Sequence, residues 1–155
     1  MTLPASFPLS MSQIAAELGI SLPLSLDDSR VLMLAGKTAP PISFSDLLGK
    51  AASFTGNVAI TQIQQFVFAG NPNAPFYGGT IGLIKLTTNS GNAIDVVASP
   101  DSLWTSSIVL ANNTTGVSMT LPYLGNSGGS TWGATDTTGG QLIRNGHTDN
   151  FTIHT

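Results

Sequence analysis

Two histidines and a few carboxylates are all that this sequence offers for acid–base or metal chemistry. His147 and His154 flank Asp149, but a zinc site takes three or four ligands, and no second cluster supplies the others. The residues therefore read as surface histidines, and no metal is expected. Cysteine is absent, which excludes thiolate metal sites, disulfides and cysteine nucleophiles. After residue 50 the acids are Asp95, Asp101, Asp136 and Asp149, with no glutamate. Glycoside hydrolysis needs two carboxyls flanking a bound sugar, and no spacing here argues for a pair. Ala35-Gly36-Lys37-Thr38 ends like a phosphate-binding loop, but the glycine required five residues before Gly36 is Val31. Pro40 and Pro41 also stand where a helix should follow.

One serine sits in a suggestive setting. Gly125-Asn126-Ser127-Gly128-Gly129 resembles the nucleophile motif of chymotrypsin-like proteases, with Asn126 where that family has aspartate. The family places its histidine and aspartate before the serine, whereas both histidines here follow Ser127. The chain is also too short for two six-stranded barrels. The segment reads as a loop, and the protein is expected to be no enzyme and to hold no cofactor.

Charge narrows the remaining classes. Charged residues make up 8% of the chain, against about 25% in an average domain. The five cations, Arg30, Lys37, Lys50, Lys85 and Arg144, are scattered, and the net charge is −3. No basic stripe exists to neutralise phosphates, so nucleic acid is not an expected partner; nor is there a polybasic segment for an anionic membrane. No apolar run approaches the roughly 18 residues that span a bilayer, and the start, Met1-Thr2-Leu3-Pro4-Ala5, lacks the pattern of a signal peptide. A surface solvated by Ser, Thr, Asn and Gln suits protein contact, because burying a hydroxyl that can be hydrogen-bonded costs far less than burying a charge.

The elements that position these residues fall into two parts, 1–50 and 51–155. The first holds seven of the thirteen charged residues and three degenerate copies of one local pattern. These are Leu9-Ser10-Met11-Ser12-Gln13-Ile14, Leu24-Ser25-Leu26-Asp27-Asp28-Ser29 and Ile42-Ser43-Phe44-Ser45-Asp46-Leu47. Ser10, Ser25 and Ser43 are placed to cap helices, and Gln13 can complete a capping box with Ser10. Asp28 and Asp46 suit the positive end of a helix dipole. Leu9 with Ile14, and Ile42 with Leu47, are placed as staples across the cap. Gly19, Gly36 and Gly49 provide left-handed stops. The pattern predicts short helices near 11–18, 26–35 and 44–48. Helices this short are marginal alone, so they must pack on each other or on a partner, and the segment is expected to serve as a docking element through Leu9, Met11, Ile14, Leu18, Leu26, Leu34, Phe44 and Leu47.

From residue 51 the pattern becomes that of strands: 57–69, 80–88, 93–98, 106–111, 117–121, 141–144 and 151–154. Turn signals separate them, among them Gly70-Asn71-Pro72-Asn73 and Asn89-Ser90-Gly91-Asn92. The expected fold is mainly β: a short N-terminal helical docking segment, then an antiparallel β-sandwich or barrel-like domain. The glycine-rich stretch 125–140 reads as a loop. In it Trp132 serves either as an interface contact or as a plug on the sheet. Trp104, Trp132, Phe76, Tyr77 and Tyr123 are the aromatics from which a sugar platform could be built, although their uneven spacing favours core packing.

As an ordered set, the three capped blocks resemble an N-terminal signature of small tailed-phage virion proteins. The blocks are Leu9-Ser10-Met11-Ser12-Gln13-Ile14 with Glu17-Leu18-Gly19, Leu24-Ser25-Leu26-Asp27-Asp28 with Leu34-Ala35-Gly36, and Ile42-Ser43-Phe44-Ser45-Asp46 through Gly49-Lys50. Such proteins are often described as tail-fibre or virion structural proteins. Departures are Asp27-Asp28 for a common Asn-Asp, and Leu47-Leu48 for an aromatic pair. The resemblance covers about a third of the chain. It implies a non-enzymatic structural part of a phage particle, assembled in the bacterial cytoplasm, with other virion proteins as partners. A tail or neck appendage is expected first and a capsid decoration protein second. A symmetric homo-oligomer, in particular a trimer, is expected. A carbohydrate-binding module touching host glycans is the reading from a different class.

Overall fold

The first and third serine-started blocks form helix ends, as seen in a computed structural model that describes residues 2–89 and 91–155. Helix α1 spans Met11–Glu17 and carries the reciprocal cap: the Gln13 N–H donates to Ser10 Oγ at 3.3 Å and the Ser10 N–H to Gln13 Oε1 at 2.8 Å. A 3-10 turn, Phe44–Leu47, has the Ser43 N–H donating to Asp46 Oδ2 at 2.8 Å. The middle block departs from expectation. Helix α2 spans Ser29–Ala35, and its cap is Asp28, whose carboxylate accepts the Arg30 N–H at 2.9 Å. Ser25 accepts the Asp27 N–H at 3.2 Å and closes a turn ahead of the helix. An ionised carboxylate is the stronger acceptor for a first-turn donor and complements the helix dipole, so the helix starts one turn late. Gly19, Gly36 and Gly49 all have positive φ, as left-handed stops require.

The remainder is mainly β, in two antiparallel sheets. One runs β1 (Phe54–Ala59), β11 (Thr148–His154), β7 (Ile108–Asn112), β8 (Val117–Leu121). The other runs β2 (Thr61–Gln64), β3 (Val67–Gly70), β5 (Gly79–Thr87), β6 (Ala93–Ala98), β10 (Ser130–Thr135), β9 (Tyr123–Asn126), with β4 (Ala74–Phe76) also on β5. The apolar run 57–69 is three strands rather than one. The chain changes sheet at Ile60, whose N–H donates to the His147 carbonyl and whose carbonyl accepts the Gly146 N–H, each at 2.9 Å. It then reverses at Gln65-Phe66. Residues 141–144 form no strand: Leu142 and Ile143 are buried from a loop. That loop is held by Asp136, which accepts the N–H groups of Thr138 and Gly140. Ser90, in one predicted turn, and Met1 lie outside the described residues.

The stretch 125–140 is a strand as well as loop. β10 lies within it because Gly133 sits where a Cβ would fall 2.4 Å from the Asp95 carboxylate and 3.0 Å from Leu124. Its glycine answers crowding on the sheet, not a turn.

Both sheets bury their inner faces in one apolar cluster, a sandwich-like arrangement. Val58, Ile108, Phe151 and Ile153 come from the smaller sheet, and Ile84, Ile94, Val96 and Trp132 from the larger. The first fifty residues belong to the same cluster through Leu3, Ile14, Val31, Leu34 and Leu47. Two contacts tie them in: the Ala52 N–H donates to Glu17 Oε1 at 2.7 Å, and Thr2 and Ala51 form an isolated antiparallel bridge. Where α2 ends, Gly36 meets Gly78 so closely that a Cβ on Gly78 would lie 2.4 Å from the Gly36 Cα. The short helices thus pack on the protein's own sheets, and residues of 1–50 share one apolar cluster with 51–155.

Candidate assembly surface

The residues expected to dock on a partner divide by depth. Ile14, Leu34 and Leu47 have no solvent exposure. Leu9, Met11, Leu18, Leu26 and Phe44 are half-buried and packed against the core. Ser10, Gln13, Ser25 and Ser43 are exposed, but their polar groups serve caps and turns. The side chains of Ile14, Leu34 and Leu47 fill the protein's own interior. On the outside the segment shows Phe7, 60% exposed, and Leu22, 53% exposed.

The five candidate platform aromatics form a continuous run, buried at Phe76, Tyr77 and Trp132 and half-buried at Trp104 and Tyr123. Tyr123 lies 5.6 Å from Trp132, Trp132 5.9 Å from Phe76, Phe76 5.1 Å from Tyr77, and Tyr77 stacks on Trp104 at 5.0 Å. Trp132 is fully buried, and its indole N–H donates to the Ser106 carbonyl at 2.9 Å. The contact reading of Trp132 is corrected to the plug reading.

The chemistry-bearing residues are dispersed. Ser127 lies exposed between β9 and β10, whereas His147 precedes β11 and His154 ends it, on the other sheet. Among the described residues, no three His, Asp or Glu side chains come close enough to hold a metal ion. Asp149 is the one acid of that region built into the interior. It has no exposure and accepts from Arg144 Nε at 2.9 Å, from the Arg144 Nη2 group, and from Asn112 Nδ2 at 2.8 Å. The Arg144 hydrogen bonds, reinforced by Asn112, hold its carboxyl below the usual carboxylate range against the opposing effect of burial. Asn112 also donates to the Leu142 carbonyl and accepts the Thr114 and Thr115 N–H groups. The cluster fastens loop 136–147 to the sheet; its groups face one another, not a cleft.

What the fold does present is uncharged surface. On the smaller sheet the outward positions are Thr55, Asn57 and Ala59 on β1, Thr148, Asn150, Thr152 and His154 on β11, Val109 and Ala111 on β7, and Ser118 and Thr120 on β8. None is Lys, Arg, Asp or Glu. Register sets Thr55 opposite Thr152 and Asn57 opposite Asn150. A chain of side-chain hydrogen bonds crosses these strands. Thr55 and Thr152 hydroxyls meet at 3.0 Å; Asn113 Nδ2 donates to Thr152 Oγ1 at 2.9 Å and to Asn150 Oδ1 at 2.7 Å; Asn150 Nδ2 donates to Asn57 Oδ1 at 2.9 Å. Thr55, Asn57, Asn113, Asn150 and Thr152 thus meet part of their hydrogen-bonding need among themselves, which lowers the cost of covering them. On the outer face of the larger sheet the charges are neutralised in place: Lys85 and Asp95 pair at 2.9 Å in directly opposed positions, beside the apolar pair Leu83 and Val97.

Sequence reading missed this ladder. Thr55-x-Asn57 and Asn150-x-Thr152 show the polar alternation of an outer face, but only the strand register brings them together. Searches of family models, curated proteins and solved structures found no match to this chain.

Proposed function

We propose that this protein is a non-enzymatic structural component of a bacteriophage particle, assembled in the host bacterial cytoplasm and acting by surface contact with other virion proteins. The observation that carries this reading is the charge-free Asn/Thr ladder. A soluble monomer keeps charge on its surface for solubility, whereas a face whose polar groups partly satisfy one another costs less to cover. The ordered capped blocks of the first fifty residues, with their likeness to virion proteins, support the same assignment. The chain mounts as one rigid body: its N-terminal part contributes Phe7 and Leu22 at the surface, and its buried leucines hold the fold. A tail or neck appendage is the place proposed, with a capsid decoration protein as the alternative; a few copies per particle mark the first and hundreds the second.

The test is to place charge on the ladder without disturbing the core. Thr55 and Thr120 are exposed, so T55K combined with T120K should melt within a few degrees of the unmodified protein. Incorporation into purified particles, followed by quantitative mass spectrometry, should fall at least tenfold. Undiminished incorporation of a folded double variant would contradict this use of the face.

A further inference from the structure

Asparagine before glycine is a step at which a chain readily modifies itself, because no side chain keeps the glycine nitrogen from the asparagine carboxamide. The sequence has ten asparagines and a single such step, Asn145-Gly146. Both residues are exposed, and among the described residues no hydrogen bond holds the Asn145 carboxamide. The space beside Gly146 is open, with no atom within 4 Å of where a Cβ would stand. Other asparagines are better guarded. Asn126 precedes the small Ser127, but its Nδ2 donates to Asp101. Asn57, Asn113 and Asn150 are tied into the ladder, and the larger Val58, Thr114 and Phe151 follow them.

The fold occupies the attacking nitrogen. Residues 144–147 make a turn in which the His147 N–H donates to the Arg144 carbonyl at 3.4 Å. Gly146 is its third residue, with φ of 76°, a conformation that favours glycine there. The Gly146 N–H donates to the Ile60 carbonyl and the Ile60 N–H to the His147 carbonyl, each at 2.9 Å. This is the corner where the chain passes from β1 to β2, and so from one sheet to the other. The proton held by Ile60 is the one that the nitrogen must lose before it can attack. One hydrogen bond thus secures the corner and withholds the nucleophile.

We propose that Asn145 is a site of spontaneous deamidation, gated by the Ile60 carbonyl. When the corner opens, base from solvent takes the Gly146 amide proton. The nitrogen bonds to Asn145 Cγ and closes a five-membered imide, while the Cγ–Nδ2 bond breaks and Nδ2 leaves as ammonia with a proton from water. Water then cleaves one of the two imide C–N bonds. One cleavage leaves an aspartate on the original main chain; the other leaves an isoaspartate whose main chain is longer by one carbon. Either product adds a negative charge beside Arg144, and the longer chain cannot keep both Gly146 and His147 opposite Ile60. No oxidant, metal or second protein enters the reaction, so it stands or falls separately from the particle role.

The test follows the full chain over days in neutral buffer, folded and in urea, with peptic peptides read by mass spectrometry that separates aspartate from isoaspartate. In urea, Asn145 should be modified at least tenfold faster than any other asparagine. In the folded protein its rate should fall at least tenfold, and NMR hydrogen exchange should find the Gly146 amide protected by at least that factor. N145Q should melt within a few degrees of the unmodified protein and yield no early product. Faster modification of another asparagine in urea would overturn the site. Equal rates in the folded and unfolded chain, or an unprotected Gly146 amide, would overturn the gate.

Discussion

At Asp149, an acid without solvent contact keeps its charge because Arg144 and Asn112 bond to it. Its folded pKa is depressed, so its contribution to stability is fully present above the unfolded value of about 3.9 and is lost as pH falls through the lower folded value. Urea midpoints should therefore be level between pH 5 and 7 and decline below about pH 4, and D149N should start lower and decline less steeply. An identical slope in both proteins would remove Asp149 from the account. Trp132 makes the corresponding apolar case: W132A should cost about 3–5 kcal/mol by chemical denaturation, because the ring is fully enclosed between Phe76 and Tyr123. At this scale the sequence is readable where a residue's partner is local. Ser10 with Gln13 is legible from spacing alone. Asp28 displaced Ser25 as a cap because both fit the spacing, and the turn at 25–28 decided between them. Trp132 was ambiguous for another reason: Gly133 beside it marks close approach by Asp95 and Leu124, which is known only when the sheet is.

The helices and sheets succeed or fail together. Leu34 on α2 and Ile14 on α1 reach a cluster shared with strands of both sheets, so L34A should destabilise the whole chain by about 2–5 kcal/mol in a single transition seen alike by tryptophan fluorescence and far-UV dichroism. A variant that loses only helical signal, with the sheets unchanged, would restore the independent arm. Fragment 51–155 lacks Leu3, Ile14, Val31, Leu34 and Leu47 from that cluster, and is expected to show the narrow amide dispersion of an unfolded chain by NMR. Strands 93–98 and 117–121 were legible at their observed bounds because each alternates between turn signals. The run 57–69 was not, because a bend at Ile60 and a reversal at Phe66 carry no glycine or proline to announce them. The N-terminal segment was legible as helices but not in its destination. An apolar stripe shows that a helix buries a face, not whether the burying surface is its own sheet or a neighbour's.

For the molecule as a whole, the physics is that of a small sandwich-like fold with its apolar groups taken inward and its charge kept sparse. Several titratable groups pair with one another, as Lys85 with Asp95 and Arg144 with Asp149. The outside includes the hydrogen-bonded ladder of the smaller sheet and the exposed Phe7 and Leu22 of the N-terminal part. The central claim is that covering takes place in a phage particle. The most direct measurement is a count of this chain in purified, density-banded particles by quantitative mass spectrometry against a known shell protein. A fixed, integral number of copies per particle, retained after washing in high salt, is the predicted result. Its absence from banded particles, with the protein recovered only free in the lysate, would contradict the account.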